Sequence, residues 1–319
     1  MSDLALVGDI GGTNSRFGLV EPGSVAVREI EALRNDNFAS LEDVASHYIA
    51  SKGLTRLSAT AIAIAAPVAG ETLSLTNRNW IFTRSDLKRA VKTDRLVMLN
   101  DFEVLAWSLP HLQPDELFQI GGETPEKPGV KIVLGPGTGL GMATLAPIAG
   151  GGWMPIPGEL GHVTLPVTTQ EEFDLLSAMR SPGVVFEAED AVTGTGLPRI
   201  YRAVCSRLGI APSITSSEDI LAAGLKGDDA AAVKTLDHFA RWLALLAGDA
   251  AMTLQAYGGV YLASNISATL KDYLAASDFR RVFEEKGRLA HFMRPIPIYV
   301  VTAKFPALTG CAAALAAKH

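Results

Sequence analysis

One pattern occurs twice in this chain: an apolar strand, a turn of glycine and threonine, then a second apolar strand. It appears as Val7-Gly8-Asp9-Ile10-Gly11-Gly12-Thr13 leading into Arg16–Val20, and again as Leu134-Gly135-Pro136-Gly137-Thr138-Gly139 leading into Met142–Ala146. Glycine reaches φ > 0 and leaves no Cβ between backbone N–H groups and an anion. Taken singly, either segment reads as a tight hairpin turn. Two of them, with Asp9 closing a buried strand, suit a polyphosphate held from two sides and a Mg²⁺ ion held by a carboxylate. The first turn leads into strand-like residues, whereas a dinucleotide-binding turn leads into a helix. The sequence has no Gly-Lys-Ser/Thr P-loop, no protein-kinase catalytic or metal loop and no metalloprotease motif.

The 319 residues leave room for about two domains, and the 48% hydrophobic content is that of a globular chain. A net charge of -6 without a Lys/Arg block argues against nucleic acid and anionic lipid as partners. Cys205 and Cys311 are too few for a disulfide framework or a four-thiolate zinc site. There is no signal-peptide pattern and no apolar run long enough for a membrane span, so a soluble, cytoplasmic protein is expected.

The first third alternates strands (Leu4–Gly8, Arg16–Val20, Ala59–Ala65, Arg95–Leu99) with helices (one from Ser40 to Gly53, one at Ser85–Lys92), which predicts an α/β domain. Pro110–Gly129 is rich in Pro, Gly and charge and marks a boundary at its start. Strands are then expected at Val130–Leu134, Met142–Ala146, Val260–Ala263 and Ile296–Val301, with a long helix from near Asp228 to Tyr257. The terminal segment Gly310–Lys318 is nearly all alanine and leucine, and such a helix persists only if buried.

Six segments in order resemble a known family. Asp9-Ile10-Gly11-Gly12-Thr13-Asn14, Leu134–Gly141 and Gly258-Gly259-Val260-Tyr261-Leu262-Ala263 are similar to the two phosphate motifs and the adenosine motif of the sugar kinase/actin/chaperone ATPase superfamily. Leu75–Trp80, Leu99–Phe102 and Pro157–Val163 resemble the sugar-side segments of its bacterial glucokinases. The resemblance implies an α/β protein with the two-domain actin-like ATPase (ribonuclease H-like) fold. Its substrate cleft would lie between a small domain (1–109 completed by 303–319) and a larger one (110–302). It implies ATP and Mg²⁺ as cofactors, D-glucose as substrate, glucose 6-phosphate and ADP as products, and a homodimer. A kinase for mannose or fructose and a non-catalytic sugar-binding regulator on the same scaffold stay open as alternatives. The helix-turn-helix of such regulators has no counterpart before residue 4.

By the same resemblance Asp101 is the catalytic base and a sugar contact, with Asn100, Glu159, His162 and Glu189 as the other sugar contacts. Asp101 also reads as a helix N-cap, His162 as a structural histidine, and Glu187 competes with Glu189 for its place. Asp9, Gly11, Gly12, Thr13, Asn14, Gly137, Thr138, Gly258 and Gly259 fall on nucleotide-binding positions, Asp9 also on that of the Mg²⁺ ligand. Ser264-Asn265 depart from the two glycines common there. A Cβ at such positions is expected to disturb nucleotide binding, with Asn265 relieving it by adopting a left-handed conformation.

Overall fold

The computed structural model describes residues 4–75, 78–181 and 183–317. Thr76 and Asn77 of the Leu75–Trp80 segment, and Lys318 of the expected terminal helix, lie outside the described residues. The chain divides into two compact units, Met1–Gln113 with Ile148–Pro155 and Ala303–His319, and Pro114–Pro147 with Ile156–Thr302.

In the first unit, β1 (Ala5–Ile10), β2 (Asn14–Val20), β3 (Arg28–Arg34) and β4 (Thr60–Ile64) are followed by a small hairpin, β5 (Thr72–Ser74) and β6 (Ile81–Thr83), and by β7 (Leu96–Asn100). The main sheet runs β3-β2-β1-β4-β7, with β1 antiparallel to β2 and parallel to β4, which is parallel to β7. Every residue of β4 is buried, as a strand covered on both faces requires.

The period-two alternation of β1 feeds two cores. Leu6 and Ile10 pack with Phe17, Ile62 and Tyr48 of the helix Leu41–Ser51. That helix opens where expected, with Ser40 Oγ accepting the Asp43 N–H at 3.1 Å. Ala5 and Val7 pack with Ala61, Ala63, Trp107 and the terminal helix Pro306–Ala316. The terminal helix is therefore buried, and it starts four residues before the expected Gly310, with Pro306 in its first turn. At Gly310 it crosses the helix Asp101–Ser108 so closely that a Cβ there would lie 1.8 Å from the Val104 carbonyl oxygen.

The second unit holds β8 (Leu117–Gly121), β9 (Lys131–Pro136), β10 (Leu140–Pro147), β12 (Gly259–Leu262) and β13 (Ile298–Val301). β11 (Trp153–Gly158) begins in the segment grouped with the first unit. The order is β11-β10-β9-β12-β13-β8, with β9 antiparallel to β10 and parallel to β12, itself parallel to β13. Apart from β8 this repeats the strand plan of the first sheet, so the sequence repeat is a repeat of architecture. The long helix Ala230–Leu254 fills the core behind this sheet with Leu236, Phe239, Trp242, Leu243 and Leu246.

Candidate active site

In the first unit, Asp101 follows β7 directly, at the carboxyl ends of parallel strands where open α/β sheets place ligands. Asn100 is the helix N-cap: its Oδ1 accepts the Phe102 N–H at 2.9 Å, and Glu103 Oε2 accepts the Asn100 N–H at 3.4 Å. Asp101 occupies the first helical position, where its Oδ1 also accepts the Phe102 N–H, at 3.0 Å. The capping role is thus divided between the two residues. Burial pushes the Asp101 carboxyl up to about 6, with nearby Asp9 adding to the rise against the backbone N–H groups that lower it. A carboxyl in this range is a better proton acceptor than an ordinary aspartate and is still largely ionised at neutral pH.

Asp9 lies at the β1 end of the first turn, paired in register with Arg16, whose Nη1 reaches its Oδ2 at 3.2 Å. Burial raises the Asp9 carboxyl and Arg16 opposes this. The turn is closed by Gly11 N–H donating to Asn14 O at 3.0 Å. Arg78, from the segment read as sugar-side, reaches the back of this turn. Its Nη1 donates to Gly12 O at 3.4 Å and to Asp36 at 3.0 Å, and its guanidinium stacks on Trp80 at 4.5 Å.

In the second unit the Pro157–Val163 loop presents Glu159 and His162 to solvent. His162 Nδ1 lies 2.7 Å from Glu187 Oε2, and that hydrogen bond, together with the charges of Glu189 and Glu187, raises the imidazole above its usual range. Glu189 Oε2 accepts the Leu140 N–H at 3.3 Å and sits 3.0 Å from where a Cβ would stand on Gly139 or Gly161. Gly139 therefore leaves space for the Glu189 carboxylate, whereas at Gly161 a Cβ would first meet the Leu140 carbonyl oxygen at 2.6 Å. The turn Glu187–Asp190 brings both Glu187 and Glu189 to His162, with one side-chain nitrogen or oxygen of each of the three residues within 4.8 Å of the others. The Thr164–Glu187 bridge responsible is a long-range pairing that no local pattern announces.

A pocket of about 500 Å³, the size of a small-molecule site, opens at the carboxyl ends of β9 and β12. Gly137 and Thr138 line it with Gly194, Thr195, Ser217, Glu218 and Asn265. Gly194 N–H donates to Gly137 O at 2.9 Å, joining the second turn to the Thr193–Gly196 loop. Ser217 and Glu218 open a helix behind Ser216, and a capped helix start carries no nucleotide signature in the sequence.

Two expectations are corrected here. Gly258 and Gly259 do not line this pocket; they lie at the opposite end of β12, where Gly259 pairs with Lys131. Their missing Cβ atoms serve packing: one on Gly258 would meet Gly129 O at 2.2 Å, and Gly259 takes φ 108° against Pro297. Nor is a left-handed conformation needed at Ser264-Asn265. Ser264 is extended at φ -161°, and its Oγ accepts the Ser267 N–H at 3.0 Å as N-cap of the helix Asn265–Ala276. The departure from glycine is a helix cap, and Asn265 begins the helix with its side of the pocket. If this pocket receives nucleotide, as the resemblance implies, Asn265→Ala should raise KM for ATP severalfold and leave KM for glucose alone; unchanged nucleotide KM values across ATP and GTP would remove Asn265 from the pocket's working surface.

A family model described as glucokinase matches residues 6–318. The chain belongs to the glucokinase family. It is 39% identical over 311 residues to a glucokinase of Saccharophagus degradans, covering 97% of both chains. It is 38% identical over 313 residues to a glucokinase of Nitrobacter hamburgensis, covering 98% of this chain and 97% of that one. Among solved structures, a glucokinase from an Antarctic psychrotroph matches with a TM-score of 0.90 at 28% identity over 99% of each chain. The fold is that of the actin-like ATPase superfamily, and the enzyme is an ATP-dependent glucose kinase. Among the described residues no helix is long and apolar enough to cross a membrane.

Proposed function

We propose that this enzyme transfers the γ-phosphoryl group of ATP to the 6-hydroxyl of D-glucose, with Asp101 as the proton acceptor. The observation that supports the assignment is the place of Asp101, directly after β7 at the carboxyl ends of the parallel strands β1, β4 and β7. Phosphoryl transfer passes through a loose transition state in which the attacking oxygen sheds its proton late. A carboxylate near 6 suffices for that, since it accepts the proton as the new P–O bond forms rather than ionising the alcohol beforehand. Asn100, Glu159, His162, Glu187 and Glu189 are read as sugar contacts. Carboxylates accept short charge-assisted bonds from hydroxyls, and the His162 ring, polarised by Glu187, donates.

The nucleotide is assigned to the pocket lined by Gly137, Thr138 and Asn265, and its phosphates to that turn and to Gly11-Gly12-Thr13-Asn14. Asp9 is the residue for Mg²⁺. Its carboxylate is half-buried and its charge reaches Asp101; a hard dication would take the carboxylate oxygens in place of the Arg16 ion pair. When bound, the ion would screen phosphate charge. Cytoplasmic location and a homodimer are part of the same proposal.

The supporting experiment is a coupled assay over hexoses and nucleotides. Glucose with ATP is expected to give the highest kcat/KM, with mannose and fructose well below. Equal rates on fructose would overturn the glucose assignment, and sugar binding without turnover would favour the regulator reading.

A further inference from the structure

We infer that Asn35 is the positioning residue that presets the first turn for the triphosphate, by drawing the turn's carbonyl oxygens onto itself. The inference rests on the reading that Gly11–Asn14 receives phosphate.

Asn35 is fully buried, at 0% exposure, at the end of β3. Its Nδ2 donates to Gly11 O at 2.8 Å and to Gly12 O at 3.2 Å. Its backbone N–H donates to Thr13 O at 2.9 Å. Three consecutive carbonyls of the turn thus converge on one residue. A trans peptide is planar, with its N–H pointing opposite its C=O. Holding the Gly11 and Gly12 carbonyls toward Asn35 therefore turns the N–H groups of Gly12 and Thr13 the other way. Neither N–H has a backbone acceptor among the described residues. Adjacent N–H groups presented in this manner form an anion-binding concavity.

The orientation of the Asn35 amide is itself set. Ser15, also fully buried, donates its hydroxyl to Asn35 Oδ1 at 2.7 Å. A reversed amide would place Oδ1 against two carbonyl oxygens. Arg78 locks the outer side, donating to Asn35 O at 2.9 Å as well as to Gly12 O. Asn35 reaches this place because β2 pairs Asn14 with Arg34, which sets the next residue beside Thr13. A turn held this way does not lose its geometry when it is empty, so less ordering is required on nucleotide binding.

The test is Asn35→Asp, which keeps the shape and the Ser15 bond but faces the two carbonyls with an oxygen. KM for ATP should rise about tenfold or more, as expected from losing one or two buried hydrogen bonds. Competitive inhibition by inorganic tripolyphosphate should weaken in parallel, while adenosine affinity and KM for glucose stay put. Ser15→Ala, a milder change that frees the amide to turn over, should move the same constants in the same direction by less, and it decides the matter if Asn35→Asp does not fold. Variants that lose thermal stability but keep the wild-type KM for ATP and the wild-type tripolyphosphate inhibition would make Asn35 a merely structural residue and overturn the inference. Tripolyphosphate that fails to compete with ATP in the wild-type enzyme would instead sink the assignment of phosphate to this turn, and the inference with it.

Discussion

Asp101→Asn should lower kcat by about 10²–10⁴-fold, the usual worth of a positioned general base, with little change in KM for glucose. The asymmetry follows from the role: the carboxylate is needed chiefly when the proton leaves, whereas an amide still offers the sugar hydroxyl an acceptor in the ground state. The variant should fold at least as well as the wild type. Burial raises the Asp101 carboxyl to about 6, so its ionised form is disfavoured in the fold at neutral pH, and a neutral isostere removes that burden. The same value sets the pH profile. A base in this position would work ionised, so kcat/KM in the wild type should be flat at neutral pH and fall as pH drops through about 6; in Asp101→Asn this limb should vanish. A stable Asp101→Asn protein with near-normal turnover would exclude Asp101 as the base. A fall centred near 4 would show that burial does not shift the group.

Gly310→Ala should destabilise the protein by about 3 kcal/mol, at the upper end of ordinary overpacking. The added methyl carbon would stand 1.8 Å from Val104 O and 2.8 Å from Val104 C, atoms of helix backbone that cannot rotate aside. Ala favours helix over Gly by about 1 kcal/mol, so propensity alone predicts stabilisation, and the sign of the measured change separates the two effects. The helix that must yield is the one that begins with Asp101, so kcat should fall along with the denaturation midpoint. A midpoint equal to or above that of the wild type would mean that the two helices separate at no cost.

Period and turn chemistry are local properties, and they were legible. The largely apolar run at Ala59–Ala65 becomes the fully buried β4, Ser40 caps its helix, and the 3.6-residue period of the long helix lines the core of the second unit. The repeated turn pattern corresponds to two sheets with one strand plan. Where local pattern and packing compete, the sequence alone was a poor guide. Gly258 and Gly259 read as ligand-binding glycines, yet they are glycines because the Gly129 backbone and Pro297 pass too close for a Cβ. Ser264-Asn265 looked like a strained substitute for glycine, but an extended serine at a helix start carries no strain and supplies an acceptor for Ser267 N–H.

By itself, then, the sequence determined the α/β class, the two glycine-rich hairpin turns, the family and the identity of Asp101 as the group to examine, because each of these is written in residues adjacent along the chain. Only the tertiary structure decided what surrounds them. The Asp101 carboxyl is raised by burial and by Asp9, which arrives from β1. His162 meets Glu187 and Glu189 through a bridge to a distant loop. Asn35, a residue in no recognisable motif, holds the first turn from behind. Desolvation and hydrogen-bond partnership depend on which segments the sheet brings side by side, and neighbours in the chain do not specify that.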